Sequence, residues 1–245
     1  MVSPGRAGDY DFVYQTEWGA TDVGESQARW SIEDDRFFMF GDFTASGLAS
    51  VVADFAGHVS IQANRKDEGW QAEQLVIASR YGRETSLAET LFSEQGLATT
   101  TATPPPDEAE VYPITDQMRR GVTDPFSAMM TMLDKLKAGG VCEGVFQIYD
   151  GRRRAELSFT DLGTARLEKD RDFGFDGEVQ VCGIVSRPLG GHRRNSRLTA
   201  EAPDPEKTKA FIAELAPGLM VPVRIEVELF FGSLITRLDL DKSRI

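Results

Sequence analysis

Two cysteines, two histidines and one cluster of arginines are the residues whose chemistry can be named from type and spacing alone. Cys142 and Cys182 lie 40 positions apart, and neither belongs to a Cys-x-x-Cys pair. Two cysteines cannot supply a four-ligand zinc site, so they are either a disulfide or two separate buried thiols. If bridged, the closed loop is worth roughly 4 kcal/mol in the chain-entropy picture and implies an oxidising compartment. His58 and His192 each lack a metal-ligand partner at helical spacing. No nucleophile elbow, phosphate loop, dinucleotide fingerprint or zinc-binding helix occurs. The run from Asp170 to Glu178 has the outline of a calcium loop but lacks the third ligand carboxylate and the terminal Glu spacing. No metal and no cofactor is expected. A glycosidase-like carboxylate pair could still sit unrecognised among the 39 acids.

The basic cluster is Arg187, His192, Arg193, Arg194 and Arg197, with no acid among them. Paired guanidinium contacts could take a phosphate, a carboxylate or an acidic partner there. Gly190 and Gly191 would let backbone amides help. Its ordinary state is a solvated loop paired with nearby acids. Arg152, Arg153 and Arg154 could extend the patch, although strand alternation sends Arg153 to the other face.

The elements that position these residues follow from periodicity. A net charge of −12 disfavours nucleic acid, whose phosphate backbone needs neutralising Lys and Arg. No apolar run approaches the roughly 20 residues of a membrane helix, so the chain is read as not membrane-spanning. The opening Met1-Val2-Ser3-Pro4-Gly5 has neither the basic start nor the apolar core of a leader. Alone that suggests the cytoplasm; the reading adopted is an exported chain whose leader has been removed.

Tyr10, Phe12, Tyr14, Thr16 and Trp18 alternate with Asp11, Gln15 and Glu17, which is a half-buried strand. Further strands are expected at 27–32, 36–45, 58–64, 70–79, 84–92 and 97–103, separated by short polar breaks. Together they form an antiparallel meander over 9–103. The segment 47–55 reads as a short helix or wide turn. Three prolines at 104–106 forbid helix and central strand, so 104–113 is a surface loop within a single domain, 1–245. Asp124 and Pro125 cap a helix over 125–138, with Gly139-Gly140 as its stop. Phe126, Met129, Met130 and Leu133 form its apolar stripe. Beyond it, antiparallel strands occupy 142–241. Asp150-Gly151 is expected as a two-residue primed hairpin turn, and 207–215 as a short second helix capped near Asp204-Pro205. The fold class is therefore all-β with one main helix, a curved sheet or half-barrel packed on that helix.

The residues Asp124-Pro125-Phe126-Ser127-Ala128, Cys142, Tyr149-Asp150-Gly151-Arg152-Arg153, Phe175-Asp176-Gly177, Val181-Cys182 and Arg187-Pro188-Leu189-Gly190-Gly191-His192 resemble the pattern of bacterial exported proteins grouped as domain of unknown function 3108. Departures are Leu189-Gly190 for Ile-Ala and Glu178 for a proline. The resemblance implies a cleaved leader, periplasmic residence and a Cys142–Cys182 bridge. It implies no activity.

A curved sheet with a helix across its concave face is also similar to periplasmic carriers and sensors of lipoproteins. Nine aromatics before residue 46 give one face more bulk than a flat sheet needs, enough for an acyl pocket. The expected function is a non-catalytic periplasmic envelope protein that holds a lipid-like ligand or a protein partner between sheet and helix, with Arg193 and Arg194 meeting an anionic head. The alternatives are a hydrolase of envelope polymers and an adaptor that binds a partner at a sheet edge.

Overall fold

The computed structural model describes residues 8–33, 35–46, 54–66, 69–195, 204–229 and 232–245. Seven strands come first: β1 (Gly8–Trp18), β2 (Thr21–Glu33), β3 (Arg36–Ala45), β4 (Phe55–Lys66), β5 (Gly69–Tyr81), β6 (Glu84–Phe92) and β7 (Ala98–Thr103). Helix α1 (Pro125–Lys137) follows, then β8 (Gly144–Tyr149), β9 (Arg154–Leu167) and β10 (Gly177–Gly190). The chain closes with β11 (Thr208–Ala216), β12 (Leu219–Leu229) and β13 (Gly232–Leu238). All thirteen strands form one antiparallel sheet in the order β7-β6-β5-β4-β3-β2-β1-β13-β12-β11-β10-β9-β8. Two meanders are thus joined where β1 meets β13, and the sheet curls into a nearly closed barrel around α1. Strands β3 and β6 have the bounds their alternation predicts. The residues 47–53 lie outside those described.

The inner face is apolar because every second residue points inward. Phe12, Trp30, Phe37, Met39, Ile61 and Leu75 are all at most 3% exposed. Phe12 meets Trp30 edge-on at 4.9 Å, and Trp30 meets Phe37 edge-on at 6.0 Å.

Three expectations need correction. The first concerns β1, whose alternation does not run unbroken: a bulge between Thr16 and Glu17 reverses the phase against β2. Glu17 is therefore buried and Trp18 exposed. The second is the supposed helix at 207–215, which is strand β11, hydrogen-bonded between β10 and β12. Ala210, Phe211, Ile212 and Ala213 are all buried there, so long-range pairing overrides a local helical pattern. The third is the β8–β9 turn, which spans Asp150 to Arg153 rather than two residues, because Tyr149 pairs with Arg154. Asp150 Oδ1 accepts the amides of Arg152 (2.9 Å) and Arg153 (2.6 Å), a local bond that widens the turn.

Helix α1 lies within the barrel and is fixed at both ends. Asp124 caps it, accepting from the Phe126 amide at 2.8 Å and the Ser127 amide at 3.1 Å. Farther along, Asp134 Oδ2 accepts from Trp70 Nε1 (2.8 Å) and Arg65 Nη1 (2.5 Å), while Thr131 Oγ1 accepts the Trp70 amide at 2.8 Å. Its exit is pinned covalently. Cys142 and Cys182 are bonded, with Cα atoms 5.7 Å apart, tying the segment after α1 to β10.

Asp124 is fully buried, and burial pushes its carboxyl above the ordinary carboxylate value against the opposing hydrogen bonds from Ser127 and the amides. The folded state therefore holds this proton more tightly than the unfolded chain does. Its contribution is fully present below the unfolded value of 3.8 and is lost as pH rises through the folded value. Asp124→Asn keeps the capping oxygen, so urea unfolding across that window should show a flatter pH slope than wild type. Asp124→Ala should lose about 1–2 kcal/mol of stability.

Candidate functional site

Between α1 and the inner faces of β2 to β5 the barrel is not filled. A cavity of about 400 Å³ remains, within the range of small-molecule sites. Its floor is made of small residues, Ser26, Ala28, Gly41, Gly57 and Ser79, at positions where larger side chains would close it. Trp30, Met39, Phe43, Phe55, Val59 and Ile77 form the walls, and Phe126 and Met129 of α1 lean over it. Tyr14, Ile225 and Thr236 complete the far side. Burial pushes the Tyr14 hydroxyl far above its ordinary value, so it stays neutral. Asp42 is the one acidic residue along this lining; it is exposed and pairs with His58 Nδ1 at 2.9 Å. The buried Trp30 Nε1 has no acceptor among the described residues.

Sequence reading placed four α1 residues in one ligand stripe, but the structure divides them. Phe126 and Met129 face the cavity. Met130 and Leu133 pack instead against Tyr10, Ile32 and Trp70, where only about 40 Å³ is empty. They are core. Positions three apart share a face while the next pair is rotated away, and each pair meets a different stretch of sheet.

The arginine cluster is also divided. Arg187 is spent on Glu156, 3.1 Å away. His192 stacks on Tyr112 with ring centroids 4.6 Å apart, and the Arg194 guanidinium lies over the same ring at 4.9 Å. Arg197 lies outside the described residues. Arg193 and Arg194 line a second groove, of about 970 Å³, together with Arg153 and Arg154. Both hairpin arginines thus join the patch, correcting the alternation argument, because Arg153 belongs to the turn and not to the strand. The Gly191 amide does not serve an anion; it donates to the Tyr112 carbonyl at 2.8 Å. No residue lines both the groove and the cavity, so Arg193 and Arg194 do not head the apolar site.

Arg152 has a different role, one that periodicity does not reveal. Its Nη2 donates to the carbonyls of Leu87 (3.1 Å), Thr103 (3.2 Å) and Pro104 (3.0 Å). The β8–β9 turn thereby bridges to β6 and β7 and closes the barrel. Gly151 sits there at φ +90°, and a Cβ on it would come within 2.7 Å of Thr90 Oγ1. Beside it, Thr123 pairs with β8, its amide donating to Gln147 at 3.0 Å.

An ionic cluster around the buried Glu17 and Arg237 was missed as well. Arg237 donates to Glu17 at 2.7 Å and to Asp170 at 2.6 Å, while Arg171 reaches Glu17 at 2.6 Å. Hydrogen bonding from Arg237 holds the Asp170 carboxyl below its ordinary value. The run that looked faintly like a calcium loop is a clamp on the β1–β13 seam. Only the bulge that buries Glu17 makes this legible.

The family model described as "Protein of unknown function (DUF3108)" matches residues 13–241. No curated protein matches the chain. Among solved structures, the chain is similar to the crystal structure of a beta-barrel-like protein of domain of unknown function DUF1849 from Brucella abortus. The TM-score is 0.52 at 8% identity, covering 95% of this chain and 96% of that one. At that identity the likeness concerns the fold alone. No helix among the described residues is long and apolar enough to cross a membrane.

Arg152→Ala removes all three closing contacts. We expect chemical denaturation to show a loss of about 1–2 kcal/mol. Amide exchange should quicken in β7 and remain slow in β2 and β3.

Proposed function

Since the chain belongs to the DUF3108 family of proteins of unknown function, a description that assigns no activity, we propose from its geometry that it is a non-catalytic envelope protein that holds a lipid-like ligand. The observation that carries this reading is the apolar cavity of about 400 Å³ under Phe126 and Met129. An open-mouthed apolar concavity of this size, ringed by aromatic and aliphatic side chains, suits an acyl chain. Periplasmic residence belongs to the same proposal and is supported by the Cys142–Cys182 bridge, because such bonds persist outside reducing compartments. A hydrolytic role gains nothing from this cavity, whose lining offers no carboxylate pair. An edge-binding adaptor gains little either, because Thr123 lies along β8 and the β8–β9 turn reaches β7.

The test exploits Gly57. A Cβ there first meets Phe55 at 3.6 Å, an ordinary contact, so a larger residue can be accommodated at the cost of the void. Native mass spectrometry of protein from its own periplasm should show a lipid-sized adduct. Gly57→Leu should lose that adduct while unfolding at an unchanged or higher denaturant concentration. Wild-type protein that carries no adduct and takes up no added long-chain fatty acid would sink the reading.

A further inference from the structure

The groove that gathers Arg153, Arg154, Arg193 and Arg194 is a second site with different chemistry. Two elements build it. The β8–β9 turn brings Arg153 and Arg154, and the segment after β10 brings Arg193 and Arg194. These elements are locked together, since a Cβ on Gly191 would fall 1.9 Å from the Arg152 carbonyl oxygen. The second element is also held by Val111 and Tyr112. Val111 bridges to Arg193, the Tyr112 amide donates to His192 at 3.0 Å, and the Arg194 amide donates to Glu110 at 2.9 Å. The backbone that carries the four cations is therefore held in place rather than loose on a tail.

Their charge is offset only in part: Glu156 acts on Arg154 from beyond ion-pair distance and is itself paired with Arg187. Glu110 and Asp150 are the acids along the groove, and Asp150 is committed to the amides of its own turn. No carboxylate of the described residues lies within ion-pair distance of any of the four guanidinium groups. Arg154 is the costly member at 7% exposure. Its Nη1 donates to the carbonyls of Ile148 (3.2 Å) and Ala155 (2.6 Å) and its Nη2 to Gln147 Oε1, while its Nε has no partner. His192 Nδ1 is likewise buried and unpartnered. A buried cation satisfied only by neutral oxygens, beside three further cations, leaves an anion as the missing group.

We propose that this groove binds a phosphate-bearing ligand, its oxygens taken by guanidinium forks from both elements and its carbon portion lying on Ile148, Ala155 and Leu157. Phosphate suits the site better than a single carboxylate. A phosphomonoester carries close to two negative charges, and its oxygens match the planar donors of several arginines at once. The site is independent of the apolar cavity, and its failure would leave that reading intact.

The experiment is calorimetric titration of the full chain at low ionic strength with three probes: inorganic phosphate, glycerol 3-phosphate, and vesicles of phosphatidic acid in a neutral lipid. Wild type should bind glycerol 3-phosphate, with affinity falling as salt rises. The Arg193→Ala, Arg194→Ala double variant should lose about tenfold or more. The corresponding double Lys variant should fall in between, because charge survives and the fork does not. Arg187→Ala, outside the groove, and Gly57→Leu, in the other cavity, should both bind as wild type. Binding to vesicles alone, still dependent on Arg193 and Arg194, would place the phosphate on a lipid headgroup and support the site. No binding to any probe, or equal binding by the double Ala variant, would overturn it.

Discussion

An antiparallel sheet of thirteen strands has two edges, and what becomes of the backbone groups on those edges decides the rest of this structure. An open edge is a template for pairing with another chain. Here the edges belong to β7 and β8, remote in sequence but brought close by the curl of the sheet. Full closure by β7–β8 pairing is not made. Instead the Asp150–Arg153 turn crosses the gap, the Arg152 guanidinium takes up carbonyls of β6, β7 and Pro104, and Thr123 lies along β8. These contacts tie the two edges of the curled sheet together, and the cavity lies inside the curl.

A curled sheet of this size encloses more volume than its own side chains fill, which is why larger barrels carry ligands, plugs or channels. Helix α1 is the plug, and it is too short to fill the whole barrel. Where it meets β2 and β5 through Met130, Leu133 and Asp134, packing is nearly complete. Where Phe126 and Met129 face Ala28, Gly41 and Gly57, it is not. The difference lies in side-chain size on the sheet and not in the helix. Filling the void would take no change of backbone, as the room around Gly57 shows.

Much of this was legible in the sequence because its signals are local. Period-two alternation gave β3 and β6 their observed ends, and Asp124-Pro125 with Gly139 bounded α1 almost to the residue. The features that escaped depend on partners far along the chain. The bulge at Glu17 makes sense only once Arg237 and Asp170 stand opposite it. Strand β11 has local helical spacing and becomes a strand only between β10 and β12. The role of Arg152 needs β7 beside it, and the basic groove needs the turn and the β10 segment in contact. Spacing could nominate the cysteines, but the resemblance to exported proteins had to join them. The candidate ligand residues fall in different places for the same reason: type can be read from sequence, whereas which side chains converge is set by closure.

The groove and the cavity share no lining residue, yet they share a support. Pro125 borders the groove and Phe126 the cavity, so consecutive residues of the first turn of α1 face the two sites. That turn is held by a buried Asp124 whose oxygens take the Phe126 and Ser127 amides and the Ser127 hydroxyl. A more exposed cap would form as readily, since Asp and Ser cap helices equally well in water. Burying it costs desolvation that only a fully bonded carboxyl offsets. The return is rigidity: a first turn tied to its cap on one side and pinned beyond its far end by a disulfide cannot shift to fill the cavity beside it. The void is therefore maintained by the anchoring of the helix, and helix and sheet together hold it open.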